Sequence, residues 1–270
     1  MKELTIEEIK QYQLDILDVV DRFCRENKIQ YFLGYGSLIG AVRHNGYIPW
    51  DDDIDLMMFR KEYERFIKTF NAAHSEYQVY AMDNSAGYHF HFAKISSRKT
   101  VLIDDDLEIN DIELGVNIDL FPIDECPEQF DTAKIVQRMH VYDLLIFAKS
   151  FRWSSLHKKP LRQKVLILAA KAAGLFFSKH FLAGREKKIA TQFAQRGFHN
   201  CTVFSSTYVK GTLPIWDIED FRPAEHVFEH RMYCIPEHYD KILRAEWGDY
   251  MQLPPEEKRI SNHSFRAWMK

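Results

Sequence analysis

With 270 residues, 46% of them hydrophobic and 28% charged, the chain is long enough to bury a sizeable core and too apolar to be disordered. Its formal charge is only −3, but Lys149–Ala190 holds eleven Lys or Arg against a single acid, Glu186, leaving that segment at +10 and the remainder at −13. An acidic body with one basic stretch excludes general nucleic-acid affinity and points to a localised anionic partner such as a membrane surface.

Thr5 followed by Glu8 is a capping-box pattern, and Ile9, Tyr12, Ile16, Val20 and Phe23 recur at helical spacing, which predicts a helix from Ile6 to Asn27. Tyr31 to Leu33 reads as a short strand that feeds a turn through Gly34, Gly36 and Ser37, with a brief helix from Leu38 to Val42. After a loop through Gly46 and Pro49, Asp53 to Phe59 reads as a strand and Arg60 to Phe70 as an amphipathic helix. Tyr88 to Ile95, Thr100 to Ile103 and Val116 to Ile123 read as further strands, so the first half is a small α/β sheet domain. Beyond Pro127 come long helical runs, Glu128 to Ser150 and Leu161 to Phe193, and then a strand from Thr202 to Tyr208. The division expected is 1–126 as catalytic core, 127–200 as a basic helical segment and 201–270 as a part completing the active-site domain.

The most apolar stretch, Val165 to Phe177, is thirteen residues long and includes Lys171, short of the roughly 20 apolar residues that a spanning helix needs. It is either a core helix or a helix lying in a membrane interface beside its lysines. Met1 to Lys10 lacks the apolar stretch of a secretory signal, which predicts a cytoplasmic protein. Cys24, Cys126, Cys201 and Cys234 are widely spaced, as fits reduced, packed thiols.

Asp51, Asp52, Asp53 and Asp55 put four carboxylates within five residues, running into Ile54, Leu56 and Met57. On a strand Asp53 and Asp55 share a face and repel each other unless a cation lies between them, and Mg²⁺ suits an all-oxygen site that keeps positions open for phosphates. A solvated acidic turn does not usually continue into such an apolar stretch. An EF-hand loop, matched by Asp51, Asp53, Asp55 and Glu62, fails at its sharp turn, where Leu56 stands in place of Gly. A sugar-nucleotide D-x-D site explains the acids but leaves the upstream Gly36-Ser37 turn without a role. A turn that opens a helix can hold a phosphate on its backbone N–H groups, so turn and acids together have the logic of phosphoryl transfer. Asp119 is a lone acid in an apolar strand. It either completes the metal site and takes the proton of an attacking hydroxyl, or pairs with a buried base such as Arg43 or Lys94.

Gly34 to Phe66 (GYGSLIGAVRHNGYIPWDDDIDLMMFRKEYERF), with NIDLFPID from Asn117 to Asp124 and IPEHYDKILRAEWGDYMQLPPEEKR followed by His263, closely resembles the LicD family, which also includes fukutin-like domains. The resemblance implies an α/β, nucleotidyltransferase-like mixed-sheet catalytic domain with a largely helical addition. It implies Asp53, Asp55 and Asp119 as ligands of Mg²⁺ or Mn²⁺, with Asp119 also the general base. Gly36 and Ser37 would contact the nucleotide diphosphate, with Arg43, His44 and Lys94 as phosphate or nucleotide contacts or as salt-bridge partners of the acids. Two positions depart from the family's usual pattern: Tyr35 stands where a second glycine is common, and Phe59 closes a strand that often ends in Pro.

The implied activity is transfer of phosphocholine from CDP-choline to a sugar hydroxyl of a cell-surface glycan precursor, of the teichoic acid or lipopolysaccharide type, with release of CMP. The precursor would be lipid-linked and met at the inner face of the cell membrane, through peripheral anionic contact and with a homo-oligomer allowed. Tyr35, Trp50, Tyr88, Phe90 and Phe92 are candidates to hold a quaternary ammonium on their ring faces. The alternatives are a ribitol or glycerol phosphate donor, a true nucleotidyltransferase releasing pyrophosphate, and a non-catalytic calcium or lectin-like module.

Overall fold

A computed structural model describes residues 1–108, 112–205, 211–260 and 265–270. His263 and positions 206–208 of the expected late strand lie outside them. The chain opens with β1 (Lys2–Glu3) and α1 (Ile6–Asn27), whose bounds are those the sequence predicts. The Thr5 N–H donates to Glu8 Oε2 at 2.9 Å and the Glu8 N–H to Thr5 Oγ1 at 3.3 Å, closing the capping box. β2 (Phe32–Leu33) leads into α2 (Tyr35–His44), then β3 (Asp55–Phe59) and α3 (Arg60–Ala73). β4 (Tyr77–Tyr80), β5 (Ala93–Ser97), β6 (Thr100–Asp104) and β7 (Asn117–Cys126) follow.

The sheet is mixed, in the order β2-β3-β7-β5-β4, with β3 and β7 parallel and the other neighbours antiparallel. α1 and α3 pack together under it. Phe23 meets Phe66 and Phe70 edge-on at 5.7 and 5.1 Å, and each fully buried ring contributes about 1.5–3 kcal/mol. The strand expected from Tyr88 shrinks to Ala93–Ser97, because Tyr88 to Phe92 is irregular: the Tyr88 hydroxyl turns back to the Phe92 carbonyl at 2.9 Å.

The helical addition is α4 (Thr132–Ser150), a short 3₁₀ turn (Trp153–Lys158), α5 (Leu161–Gly174) and α6 (Lys179–Ala190). The single run expected from Leu161 to Phe193 is two helices bent by 96°. Two contacts mark the break: the Lys149 ammonium donates to the Gly174 carbonyl at 2.8 Å, and Ser178 caps α6 by accepting from the Phe181 N–H at 3.0 Å. α5 buries only Ile167, Ala170 and Gly174, and leaves Leu161, Val165, Leu166 and Leu168 exposed. Among the described residues no single helix is long and apolar enough to cross a membrane, although the bent pair passes together by length and composition.

The chain then returns to the sheet. β8 (Asn200–Thr202) pairs with the last three residues of β7 and with β9 (Trp216–Asp217), while β10 (Pro223–Phe228) and β11 (Arg231–Pro236) form a hairpin. α7 (Tyr239–Trp247) precedes β12 (Phe265–Met269), which lies between β1 and β6 in a small antiparallel sheet. All four cysteines are buried and free. The α/β class with a helical addition is as expected.

Candidate active site

Asp55 on β3 lies opposite Asp119 on β7, and Lys94 on β5 lies opposite the same Asp119 from the other side. Directly opposed residues share a sheet face, so the three side chains form a row across adjacent strands. The Lys94 ammonium is 2.5 Å from Asp119 Oδ1 and 3.2 Å from Asn117 Oδ1. Of the bases considered for Asp119, Lys94 is therefore its partner here, whereas Arg43 donates to the Tyr250 carbonyl and, at 2.9 Å, to the His44 ring. Five residues along β7, Asp124 falls on the opposite face and forms a bidentate pair with Arg60 at 2.7 and 2.6 Å. Burial pushes the Asp124 carboxyl up despite that guanidinium.

Asp53 precedes β3 instead of belonging to it, so its proximity to Asp55 comes from the loop and not from strand alternation. Burial raises the Asp55 carboxyl well above the ordinary carboxylate range, and the charges of Asp53, Asp119 and Asp51 add to the rise while Lys94 opposes it. Asp51, Asp52 and Asp53 each place an oxygen within 4.8 Å of the other two. This is an acid-rich, oxygen-only environment of the kind that suits Mg²⁺.

The turn is tighter than the sequence predicts. The strand stops at Leu33, Gly34 is the N-cap, and Gly36 and Ser37 lie inside the first turn of α2. Tyr35 takes a left-handed φ of 44°, at the position where the resemblance leads one to expect a glycine; such a conformation is strained for a bulky residue. A Cβ on Gly36 would lie 2.6 Å from Asp51 Oδ2, so glycine is what lets that carboxylate settle over the positive end of the helix. Ser37 is buried, and its Oγ accepts the Asp55 N–H at 2.8 Å, which ties the turn to the first residue of β3. Gly36 and Ser37 thus sit beside the acids, while Arg43 is seven residues further along α2, about 10 Å away by helical rise. Burial lowers the Arg43 pKa, and burial followed by the Arg43 charge lowers that of His44.

The candidate aromatics divide. The Lys94 ammonium lies 5.2 and 5.9 Å from the ring centroids of Phe92 and Phe90; Phe92 stacks on Phe121 at 4.6 Å, and Tyr35 meets Phe121 edge-on at 5.0 Å. Tyr88 is buried beneath Phe90, and Trp50 packs with His44 and Arg259. Phe90 and Phe92 line a cavity of about 470 Å³ with Phe147, His91 and Asp143. Glu186 stands behind those last two, in a cluster that sequence reasoning did not single out. Its signal was available: Glu186 is the lone acid of the basic segment and shares the spacing of the buried Leu182, Ala183, Ile189 and Ala190.

Residues 28–163 match the model of the LicD/FKTN/FKRP nucleotidyltransferase domain. Over 279 aligned positions covering the whole of both chains, the sequence is 33% identical to the lipopolysaccharide cholinephosphotransferase LicD of Haemophilus influenzae. It is 31% identical over 68 residues to an uncharacterised protein of Rickettsia prowazekii, covering 22% of this chain and 26% of that one.

Proposed function

The chain belongs to the LicD family, and from that premise we propose that it transfers phosphocholine from CDP-choline to a hydroxyl of a lipid-linked glycan precursor, releasing CMP. The observation that carries this reading is the Asp55–Asp119–Lys94 row, set against a glycine-opened helix in a chain that aligns end to end with a cholinephosphotransferase. Asp119 accepts the proton of the attacking hydroxyl as its oxygen bonds to phosphorus and the bond to CMP breaks. Lys94, held against Asp119, is placed to turn its ammonium to the diphosphate. The first turn of α2 offers N–H groups to the same charge. The faces of Phe90 and Phe92, which already hold an ammonium, suit a trimethylammonium group.

Asp53, Asp55 and Asp119 would hold a divalent ion, Mg²⁺ or Mn²⁺. The donor set fits, since Asp55 and Asp119 are opposed on neighbouring strands and burial, with repulsion from Asp53 and Asp119, raises Asp55. Such an ion supplies neutralisation of charge on the transferring phosphoryl group. Purified protein, Mg²⁺ and an acceptor glycan, incubated with CDP-choline, CDP-ribitol or CDP-glycerol, test the reading. CMP with choline phosphate on the acceptor is expected, and pyrophosphate release, or CMP only from another donor, would overturn it.

The acceptor's lipid implies contact with the inner face of the membrane, and the α5–α6 surface supports it. Leu175 and Phe176 are 78% and 85% exposed, with Lys171 and Lys179 on either side of them in the sequence. Each basic residue near anionic lipid contributes about 1 kcal/mol. Binding to anionic and not neutral vesicles, lost when Lys158, Lys159, Lys164 and Lys171 become Glu, is the expected result.

A further inference from the structure

His91, Asp143 and Glu186 come from three separate elements: the segment entering β5, the middle of α4, and α6. Each offers an atom within 4.8 Å of the other two. The Glu186 side chain is fully buried and that of His91 is 9% exposed. His91 Nε2 lies 3.0 Å from the Ser205 carbonyl, which can only accept, so this nitrogen carries a proton and Nδ1 is turned toward the acids. Nδ1 is 3.3 Å from Glu186 Oε2 and 3.6 Å from Asp143 Oδ1.

Those separations decide between two accounts. An imidazolium clamped between carboxylates should close to about 2.7–2.9 Å, the usual length of a charge-assisted bond. Two ligands of one ion, each about 2.0–2.1 Å from it at a tetrahedral angle, stand about 3.4 Å apart. The observed pair of distances brackets the second value. Two further atoms agree: Glu186 Oε1 and Asp143 Oδ2 are buried and meet no donor among the described residues, an arrangement costly for carboxylates unless a cation or a shared proton lies between them. A backbone carbonyl fixing the far nitrogen is the support that metal-bound imidazoles usually have.

We propose that His91, Asp143 and Glu186 bind a second divalent ion, of the zinc class, apart from the aspartates of the proposed transfer site. A set of one imidazole and two carboxylates selects Zn²⁺ over Mg²⁺, which prefers oxygen alone. Three protein ligands leave one tetrahedral position, and since His91 and Asp143 line the 470 Å³ cavity, that position opens to it and takes water or an oxygen of a bound ligand. The ion joins the helical addition to the strand that carries Lys94, three residues beyond His91.

The test is metal content, which needs no substrate. Full-length protein stripped with chelator and titrated with Zn²⁺ should bind one equivalent tightly and gain thermal stability. Glu186→Gln, which keeps shape and removes charge, should weaken that binding at least about 100-fold, while Asp55→Asn should leave it unchanged. Co²⁺ in the wild-type protein should give the intense visible absorption of a four-coordinate ion, a readout that stands even if the variant folds poorly. No tight equivalent of Zn²⁺, a weak six-coordinate Co²⁺ spectrum, or binding lost in Asp55→Asn and kept in Glu186→Gln would each overturn the proposal.

Discussion

The sheet and the helical addition break the usual rules of burial in opposite directions. Around β3, β5 and β7 carboxylates are drawn inward, and burial, followed by the repulsion among them, raises Asp55. On α5 and α6 large apolar side chains are pushed outward, with Leu175 and Phe176 almost wholly exposed. Either arrangement costs folding free energy, since crowded charges resist desolvation and exposed apolar surface forgoes the gain of burial. Such costs are kept where a ligand repays them, which fits the proposed cation in the first region and the proposed lipid surface in the second.

The sharpest way to break that comparison is to neutralise one inward acid. Asp55→Asn should lower turnover on the order of 10³-fold, by loss of metal binding, while leaving the unfolding temperature of the metal-free protein unchanged or higher. CMP release and a thermal scan measure the two halves. An active or an unfolded variant would remove Asp55 from the site. Asp124, on β7 with Asp119, is the contrast, because its charge is spent on Arg60. Asp124→Ala should cost about 3–5 kcal/mol in urea unfolding by stranding a buried guanidinium, whereas Asp119→Asn should cost under about 1 kcal/mol yet abolish the chemical step. Similar stability losses in both would show Asp119 to be structural as well.

Outward residues should respond in reverse. Leu175→Ser with Phe176→Ser should change folding stability by no more than about 0.5 kcal/mol per site, but reduce partition onto anionic vesicles about tenfold or more in flotation. A large loss of stability instead would mean that these side chains pack in solution. The smallest effect is expected at Gly36→Ala. The new methyl group meets only the tip of Asp51, which can swing aside, so stability should fall by less than about 1 kcal/mol while the Mg²⁺ concentration for half-maximal rate rises several-fold.

Legibility in the sequence followed how local each determinant is. Helix α1 was readable to its ends because the Thr5–Glu8 box and the apolar stripe lie within one segment. The Asp55 to Asp119 neighbourhood was legible because each acid interrupts an apolar strand, although the sequence left open whether Asp119 faces a metal or Lys94, a matter of register between strands. The break between α5 and α6 was hidden, since a serine cap inside an apolar run has little periodic signature and the Lys149 contact to Gly174 spans 25 positions. The histidine-centred cluster was invisible as a cluster, because its members are scattered over nearly a hundred residues and only the tertiary fold brings them together.

Strand β7 changes partners midway. Its first seven residues are flanked by β3 and β5, both made before it, whereas Asp124 to Cys126 pair with Asn200 to Thr202. At equilibrium the roughly 75-residue loop so closed adds little, because closure entropy grows only with the logarithm of length. Its cost is in time. As the chain leaves the ribosome, the half of β7 bearing Asp119 can dock at once, while the other half remains an open strand edge until the helices and β8 have been made. A ribosome paused within the helical segment would therefore display the assembled aspartate row beside an unprotected edge, and that edge, not the row, is where a holding chaperone would be needed.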